Sequence, residues 1–384
     1  MKPLRQVSAA DVAELTAALS DALAGGDAVW PVPGAGGPGP IVTEVDDEVA
    51  LVIETSGSTE APKRVTLSAD ALIASADATA DRLDGPGRWL LALPGHYVAG
   101  AQVLVRSILA GTSPVLPQDG PFTPEGFAAA SARLTADTPR YTSLVPVQLA
   151  RILDRAEHDA FVAAALVGYD ALLVGGQALA PALATRAHEL GARIVRTYGS
   201  SETAGGCVYD RRPLDGVGVR IVDGLVELSG PMLASGYLDD AERTAAAFTT
   251  DARGHRWYRT GDLGELAPDG SLRINGRADD VIISGGVKVV LGEVERAIRA
   301  VSGLAEAVVV AVDDARWGQR PVVVVTGAAS SVTLAALGAA TDASGLAPAA
   351  RPVRIAVVDS MPLLASGKPD RRRLSQGLLD SGAN

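Results

Sequence analysis

Apolar residues recur along this chain with two different spacings, and the two alternate from one end of the chain to the other. At positions 12, 15, 19 and 23 they lie three or four residues apart, as on one face of an amphipathic helix. Residues 49–53 and 171–174 are apolar throughout, which is typical of strands buried on both faces. Because helical and strand-like segments alternate, we predict an α/β fold with mostly parallel sheets flanked by helices.

The two spacings also place individual elements. Strands are predicted at residues 49–53, 89–93, 142–145, 171–174, 193–198, 281–283, 308–312, 322–325 and 353–358. Helices are predicted at residues 69–83 and 102–109, and after the turn at residues 285–286, where positions 294, 297, 298 and 301 are apolar. The first helix is predicted to begin with a capping box at Ser8 and Asp11, and the Gly- and Pro-rich residues 24–40 are predicted to form a loop. Residues 219–223 and 225–228 predict a hairpin with Gly224 as its one turn residue.

Residues 258–299 carry the densest turn signals of the chain. Gly261-Asp262 is predicted to end one segment, and residues 268–270 (Pro-Asp-Gly) predict the turn of a hairpin. A strand, a glycine turn at residues 285–286 and an amphipathic helix follow. A chain of 384 residues is long enough for two domains, so we predict a domain boundary within this stretch.

Composition narrows the classes of function. The net charge is −11 and basic residues form no cluster, which disfavours nucleic-acid binding. The one cysteine, Cys207, cannot form an internal disulfide, and the four histidines are scattered rather than grouped like metal ligands. The sequence has no apolar run of membrane-spanning length and no basic-then-apolar signal at its N-terminus, so we expect a soluble cytoplasmic protein with no membrane insertion.

A phosphate-binding loop is predicted directly after the strand at residues 49–53, in the segment T-S-G-S-T-E-A-P-K. Its hydroxyl and glycine residues are Thr55, Ser56, Gly57, Ser58 and Thr59. Hydroxyl and backbone N–H groups in such a loop cradle phosphates, and Lys63 can offset their charge. Lysine is otherwise rare, since the 34 basic residues include only four lysines, three of them in motif stretches: Lys63, Lys288 and Lys368.

Three further segments carry polar groups at the ends of predicted elements. Residues 197–203 read T-Y-G-S-S-E-T after a strand, and Gly175-Gly176 follow another strand. His96 lies between a strand and a helix, where α/β proteins place ligands. Together with the loop at residues 55–63, the stretch at 258–299 and S-G-K-P-D-R at residues 366–371, these segments resemble the adenylate-forming superfamily of acyl-CoA synthetases, peptide-synthetase adenylation domains and luciferases.

The resemblance implies roles for residues of the first two-thirds of the chain. Thr55 to Thr59 and Lys63 would bind the phosphates of ATP, although Glu60 stands where the family usually has glycine. The adenine would lie between the Gly175-Gly176 turn and Tyr198, beside Gly199 and Thr203. Glu202 would hold Mg²⁺, since one carboxylate with phosphate oxygens and waters suits that ion. Residues 230–248 match a further family block that we expect to be structural.

The resemblance also implies roles for residues in and after the dense stretch. Asp262 would accept both ribose hydroxyls and Arg277 would make a second ribose or phosphate contact. Asp279 would be the hinge between an ATP- and acyl-binding domain at 1–278 and a small mobile α+β domain at 279–384. Gly285 and Gly286 would leave room for the pantetheine arm of CoA. Lys368 would bridge the substrate carboxylate and the phosphate.

The reaction implied has two halves: a carboxylate attacks the α-phosphate of ATP to give an acyl-adenylate, and CoA then displaces AMP. Among family members, short chains with L-P-x-H, L-V-P-x-Q-L and T-Y-G-x-S-E-T motifs resemble 2-succinylbenzoate–CoA ligases of menaquinone biosynthesis. This chain has those motifs and is also short before the phosphate loop. His96, with Gly199 and Ser200, would then contact the acyl group, so Lys368, Glu202 and His96 are the predicted catalytic residues.

Two alternatives stay open at this point. One is another aryl- or acyl-CoA ligase, or a stand-alone adenylation domain, which a panel of acids tested with and without CoA would separate. The other is a degenerate adenylate-binding protein, suggested by Glu60 and opposed by the presence of Glu202, Asp262 and Lys368. The implied partners are a carboxylic acid, ATP with Mg²⁺, and CoA. The sequence does not decide whether the protein is a homo-oligomer.

Overall fold

The structure is a computed structural model. It describes residues 1–34, 42–55, 62–118, 120–327, 332–364 and 368–381, with the backbone alone for 379–381.

The chain forms a large N-terminal α/β domain followed by a small C-terminal domain. The strands of the large domain are β1 (Lys2–Ser8), β2 (Ala28–Val32), β3 (Glu44–Val45), β4 (Val49–Thr55), β5 (Lys63–Ser68), β6 (Arg88–Leu90), β7 (Arg140–Leu144), β8 (Ala171–Val174), β9 (Ile194–Ser200), β10 (Gly205–Tyr209), β11 (Arg212–Pro213), β12 (Gly218–Val222), β13 (Leu225–Ser229), β14 (Gly236–Tyr237), β15 (Phe248–Thr250), β16 (Arg256–Leu266) and β17 (Leu272–Arg277). Its helices are α1 (Val12–Leu23), α2 (Ala69–Arg82), α3 (Val98–Leu109), α4 (Pro124–Ser131), α5 (Pro146–Ala156), α6 (Ala160–Val167), α7 (Pro181–Glu189) and α8 (Ala241–Ala247).

Two mixed sheets form the centre of the large domain. The first has the order β14-β5-β4-β2-β1-β3, with β1, β2 and β4 parallel. The second has the order β11-β10-β9-β8-β7-β6, with β6 to β9 parallel and β10 and β11 antiparallel. A buried apolar cluster joins α1, α2 and α3 to strands of both sheets, and Leu15, Leu72 and Leu104 are among its fully buried members. The predicted α/β class is confirmed, but the sheets are mixed rather than mostly parallel, because hairpin strands such as β5 and β10 pair antiparallel at their sides.

A third sheet contains the last strands of the large domain before the small domain begins. It is antiparallel throughout, in the order β12-β13-β16-β15 with β17 paired to β16. The β16–β17 hairpin turns at residues 268–270, as the Pro-Asp-Gly signal predicts. This hairpin leads directly into the small domain.

The small domain is built on a fourth sheet. Its strands are β18 (Val281–Ser284), β19 (Val287–Val290), β20 (Val308–Asp314), β21 (Gly318–Thr326) and β22 (Arg354–Val358), and its helices are α9 (Leu291–Arg299), α10 (Leu334–Ala343) and α11 (Arg371–Ser381). The strand order is β19-β18-β21-β20, with β22 parallel to β21. Helix α9 buries Val294 and Ile298 against this sheet, as its apolar spacing predicts. The predicted boundary at residues 278 and 279 stays a prediction.

Four local predictions are wrong, in three cases because strand pairing overrides a local signal and in one because a hairpin turn needs a second residue. Residues 24–40 contain β2, which lies between β1 and β4. Asp11 alone caps α1, by accepting from the Glu14 N–H at 2.9 Å, since Ser8 belongs to β1. The hairpin at Gly224 has two turn residues, because Asp223 also has a positive φ of 52°. Gly261 does not end a segment but lies inside β16 with φ 73°.

Among the described residues, no helix combines the length and the apolar character needed to cross a membrane.

Candidate active site

Tyr198 lies near the end of β9, and Glu202 lies in the turn that follows this strand. Strand β9 runs to Ser200, a 3₁₀ turn spans Ser201–Thr203, and β10 returns antiparallel. The Thr203 hydroxyl oxygen accepts from the Ser200 N–H at 2.9 Å and so closes this turn. A side chain at Gly199 would place its Cβ 2.1 Å from the Gly205 carbonyl oxygen. Glycine is therefore required there for strand packing, whatever else it contacts.

Asp262 lies at the centre of the cluster predicted to bind ribose. Its Oδ2 accepts from the Tyr198 hydroxyl at 2.6 Å, and its Oδ1 accepts from Arg277 Nη1 at 3.2 Å. The pairing of β16 with β17 sets Asp262 opposite Arg277. The positive φ of Gly261 and a register shift between β13 and β16 form the bulge that carries Asp262. A bulge of this kind re-aims a side chain, here towards β9.

Burial controls the protonation of this cluster. It raises the pKa of Asp262 above its usual 3.8, against the opposing effects of Tyr198 and Arg277. Burial, together with the Asp262 charge, raises the pKa of Tyr198 well above 10, so the phenol stays a neutral donor. Burial alone would lower the pKa of Arg277, but hydrogen bonds and charge interactions with Asp279 and Asp262 raise it. A carboxylate oxygen has spare lone pairs, so Asp262 can still accept from a diol.

Glu202 is buried, with 7% of its surface exposed, and is held by Tyr237. The Tyr237 hydroxyl donates to Glu202 Oε1 at 2.8 Å. Tyr237 lies on β14, which pairs with β5, so the strand that begins with Lys63 brings Tyr237 towards Glu202. Burial and the Glu202 charge raise the pKa of Tyr237, which keeps its proton on the oxygen. Sequence analysis missed this contact, since it treated residues 230–248 as structural.

The two described ends of the predicted phosphate loop lie beside this pair. Thr55 ends β4 and Lys63 begins β5, and the Thr55 hydroxyl donates to the Lys63 carbonyl at 3.4 Å. Lys63 Nζ lies 6.0 Å from the centre of the Tyr237 ring. The residues between them that were predicted to bind phosphate, Ser56, Gly57, Ser58 and Thr59, lie outside the described residues, as does Glu60.

The donor set around Glu202 fits magnesium better than a transition metal. In the described part of the chain, no group of three or more His, Cys, Asp or Glu residues could hold a metal ion. Glu202 is a single carboxylate, and the Tyr237 hydrogen bond occupies one of its oxygens. Mg²⁺ is commonly held by one or two carboxylates together with substrate phosphates and water. Glu202 therefore fits that ion when a phosphate substrate supplies the other oxygens.

Lys368 of the small domain lies within charge range of the same cluster. Burial lowers the pKa of its ammonium, although the side chain keeps solvent contact. Asp262 and Glu202 act to raise that pKa, and Arg277 acts to lower it. The backbone around Lys368 is ordered by a hydrogen bond from the Leu364 N–H to the Lys368 carbonyl at 2.8 Å. In this orientation of the domains, the predicted catalytic lysine thus faces the Tyr198, Glu202 and Asp262 side of the large domain.

The residues predicted to contact the base and the acyl group lie at ends of strands and helices. His96 lies two residues before α3, and burial lowers the pKa of its imidazole. Its Nδ1 is buried and has no hydrogen-bond partner among the described residues. Glycine at position 175 allows the backbone after β8 to lie close to β9, because a Cβ there would lie 2.2 Å from the Thr197 hydroxyl oxygen. Gly176 has φ 79°. No described contact joins His96 to Glu202 or Asp262.

Gly285 and Gly286 form the turn between β18 and β19, on the exposed side of the small domain. Both have positive φ, 57° and 79°. A Cβ at Gly285 would lie 2.3 Å from the Trp317 ring, whereas one at Gly286 would meet open space. Asp279 is exposed just after β17, and its carboxylate accepts from Arg277 Nε at 3.1 Å. In this orientation, the described contacts do not bring the glycine turn to the Asp262 cluster.

Comparison with known proteins agrees with this arrangement. The family model described as AMP-binding enzyme matches residues 4–238, and the one described as AMP-binding enzyme C-terminal domain matches residues 293–368. A protein of Mycobacterium tuberculosis named "Probable 2-succinylbenzoate–CoA ligase" is 42% identical over 337 residues, which are 86% of this chain and 85% of that protein.

Two solved structures of the Bacillus subtilis o-succinylbenzoate CoA synthetase are similar to this chain. One, in complex with the acyl-adenylate intermediate, superposes with a TM-score of 0.72 at 27% identity and covers 85% of this chain and 69% of that one. The other, in complex with ATP and magnesium ion, has a TM-score of 0.71 at 25% identity and covers 91% of this chain and 75% of that one.

Proposed function

This chain belongs to the AMP-binding enzyme family, and from that premise we propose that it is an AMP-forming acid–CoA ligase acting on 2-succinylbenzoate. The observation that carries the proposal is the convergence of Tyr198, Asp262 and Arg277 with Lys368 in charge range. These groups suit a nucleotide whose reacting phosphate needs a cation. The similarity to 2-succinylbenzoate–CoA ligases supports the choice of acid.

The first half-reaction joins the acid to the α-phosphate of ATP. Asp262, held by Tyr198 and Arg277, would accept the ribose hydroxyls and fix the nucleotide against β9. Lys368 would hold the attacking carboxylate beside the α-phosphate and stabilise the negative charge on the phosphoryl oxygens. The carboxylate oxygen forms a bond to phosphorus, and pyrophosphate leaves with the electron pair of the broken P–O bond. No protein nucleophile is needed.

Glu202 would hold Mg²⁺ on the phosphate side of the nucleotide. The bound ion supplies neutralising charge for the phosphates during transfer. The Tyr237 hydroxyl orients the Glu202 carboxylate and, being neutral, does not compete for that ion as a second anion. Lys63 adds positive charge on the same side.

The second half-reaction transfers the acyl group to the thiol of CoA, with AMP as the leaving group. Lys368 would block the thiol while it faces the acyl group, so the small domain must turn before this step. We place the hinge at Asp279, between a domain of residues 1–278 and one of residues 279–384, and we assign Gly285 and Gly286 to the path of the pantetheine arm. Both glycines are exposed, as an incoming chain requires.

The acyl pocket would be lined by His96, Gly199 and Ser200. The buried Nδ1 of His96, which has no partner among the described residues, could serve a polar group of the acid. The acid 2-succinylbenzoate offers a ketone and a second carboxylate for such contacts. With this substrate the enzyme would act in menaquinone biosynthesis, in the cytoplasm where ATP and CoA are available.

The proposal is tested with purified protein, Mg²⁺–ATP and three acids: 2-succinylbenzoate, benzoate and a fatty acid. Pyrophosphate release is measured first, and CoA thioester formation is measured next. We expect both products with 2-succinylbenzoate and little of either with the other two. Thioester formation from another acid alone would identify a different CoA ligase. Pyrophosphate without thioester would identify an adenylation domain, and absence of both would identify an adenylate-binding protein.

A further inference from the structure

Helix α9 of the small domain packs directly on β17 of the large domain. Gly276 of β17 and Gly292 of α9 are in close contact, since a Cβ built on Gly292 would lie 2.9 Å from the Gly276 Cα and 3.0 Å from the Asn275 carbonyl oxygen. Any larger residue at 292 would push the helix away from the strand. The two glycines thus permit a backbone-to-backbone approach across the domain boundary.

Arg296 adds a polar contact to the same interface. Its Nη2 donates to the Ile274 carbonyl at 2.8 Å and to the Asn275 carbonyl at 3.0 Å. Both carbonyls belong to β17, whose last residue, Arg277, binds Asp262. The guanidinium is partly buried, which lowers its pKa, and the two carbonyl acceptors replace part of the water that it loses.

A neighbouring face of α9 holds the segment that follows Lys368. Glu295 is buried, and its Oε2 accepts from Arg371 Nη2 at 2.6 Å and from the Val309 N–H at 2.9 Å. Arg371 Nη1 also donates to the Val309 carbonyl at 2.5 Å. Arg371 begins α11, three residues after Lys368. Glu295 and Arg296 are adjacent in α9. The helix therefore contacts the lysine segment through Glu295 and the ribose-binding strand through Arg296.

We propose that α9 sets the position of Lys368 during adenylation, with Arg296 and Glu295 as positioning residues. One series of contacts leads from Asp262 through Arg277 and β17 to Arg296. A second contact joins Glu295 to Arg371, which lies three residues after Lys368. This inference rests on the proposed function in one respect: it requires two half-reactions that use different orientations of the small domain.

The two positioning residues differ in when they act. The Arg296 contact crosses the proposed hinge at Asp279, so a turn of the small domain must break its bonds to Ile274 and Asn275. The Glu295–Arg371 contact lies wholly within the small domain and persists through that turn. A contact made in only one of two states shifts their equilibrium by its own free energy. Arg296 therefore stabilises the adenylation orientation specifically.

The test is Arg296→Ala, with both half-reactions measured in the full chain. Adenylation is followed as ATP–pyrophosphate exchange, and the second step as CoA thioester formation from supplied acyl-adenylate. If each rate follows the population of its orientation, the ratio of the second rate to the first changes by the same factor as the equilibrium. We expect that ratio to rise about tenfold, in line with the loss of hydrogen bonds from a charged donor that is only partly buried.

Two further variants keep the test specific. Arg351→Ala removes an arginine that is more exposed than Arg296 and whose partner, Asp342, lies within the small domain, so it should leave the ratio unchanged. Arg296→Lys keeps the charge on a single donor nitrogen, and it should restore part of the wild-type ratio. An equal fall in both rates for Arg296→Ala, or the same shift in Arg351→Ala, would overturn the proposal. Failure of the proposed function would appear differently, as absence of exchange in the wild-type protein.

Discussion

At the scale of single residues, the candidate site depends on charged groups that are partly buried and held by neutral donors. Tyr198 binds Asp262, and Tyr237 binds Glu202. In both pairs the phenol keeps its proton because burial and the neighbouring carboxylate raise its pKa. A neutral donor fixes the carboxylate without adding charge, which leaves the anion available to a diol or a metal ion.

Lys368→Ala should abolish most of the adenylation activity and leave thioester formation from supplied acyl-adenylate nearly unchanged. The lysine is a cation of the small domain in charge range of Asp262 and Glu202. Removing one charged group that stabilises a transition state costs about two to three decades in rate. The measurement is the rate of each half-reaction in isolation, and an equal loss in both would contradict the role.

Tyr237→Phe should slow adenylation about tenfold and raise the Mg²⁺ concentration needed for half-maximal rate. The variant loses a hydrogen bond to a charged acceptor, which contributes about 1.5–3 kcal/mol. The measurement is adenylation rate against Mg²⁺ concentration. Tyr209→Phe is the matched control, because Tyr209 also loses a buried hydroxyl contact, to Thr79 at 3.0 Å, but away from Glu202. A similar Mg²⁺ shift in the control would exclude a specific role for Tyr237.

Asp262→Asn should lose nucleotide binding and yet be at least as stable as the wild type at pH 7. Because the folded-state pKa of Asp262 lies above 3.8, the folded protein binds more protons than the unfolded chain between those two values. Its stability therefore falls as pH rises through that window, and the asparagine variant escapes this loss. The measurement is the difference in melting temperature between variant and wild type from pH 3 to pH 7.

A second aspartate gives the opposite sign under the same conditions. The hydrogen bond from Trp257 lowers the pKa of Asp251 to about 2. The unfolded chain then binds more protons between pH 2 and 3.8, so stability is lost as pH falls through that window. Asp251→Asn should therefore be destabilised at pH 7. If the stability difference from the wild type changed with pH in the same direction for both variants, burial would not raise the pKa of Asp262.

At the scale of single elements, turns and bulges decide which way the functional groups face. The bulge at Gly261 directs Asp262 towards Tyr198, and the turn between β18 and β19 exposes two glycines. These glycines differ in surroundings, since Gly285 packs on Trp317 and Gly286 meets open space. The same residue type thus permits close packing at one position and borders open space at the next.

Gly285→Ala should destabilise the protein more than Gly286→Ala. Both variants put a side chain at positive φ, which costs about 1–2 kcal/mol. At position 285 the new methyl group also meets the Trp317 ring, which adds about 1–3 kcal/mol. Chemical denaturation measures the free energy of unfolding of each variant. If Gly286 borders the path of the pantetheine arm, Gly286→Ala should also slow the thioester step while adenylation continues, and an unchanged thioester step would remove Gly286 from that path.

At the scale of the whole molecule, the two domains are arranged as we propose for the first of the two half-reactions. Lys368 faces the Asp262 cluster, α9 lies against β17, and the glycine turn is exposed away from that cluster. In the proposed mechanism, the second half-reaction uses another arrangement of the same two domains. The exposed segment around Asp279 joins them, and its neighbours are not buried in a core.

Asp279→Pro should keep adenylation and stop the CoA step. Proline fixes φ near −65° and restricts the residue before it, so it limits the backbone change that a hinge needs. The domain orientation seen here would then be retained, with Lys368 in place. Pre-steady-state measurement of both steps in a folded variant provides the test. Asp279→Ala is the control, because it removes the ion pair between Asp279 and Arg277 without adding a proline. Near-normal rates of both steps would show that residue 279 is not the pivot.

The sequence by itself determined the features that depend on neighbouring residues. The α/β class, the hairpin at residues 268–270, the face of α9 and the motif segments follow from spacings of a few residues. Local rules are sufficient there because the apolar period and the turn preferences of Pro, Asp and Gly act over one or two turns of backbone. They failed at β2, where Pro and Gly signals predicted a loop but β1 and β4 pair with the segment on both sides.

Only the tertiary structure decided which distant residues meet. Tyr198 and Asp262 are 64 residues apart, and Tyr237 and Glu202 are 35 apart. The first contact requires a bulge in β16, and the second requires β14 to pair with β5. Arg296 has no motif to mark it, because its partners are backbone carbonyls of β17, which every residue type provides. Such contacts arise from strand register and domain packing, and no spacing along the chain encodes them.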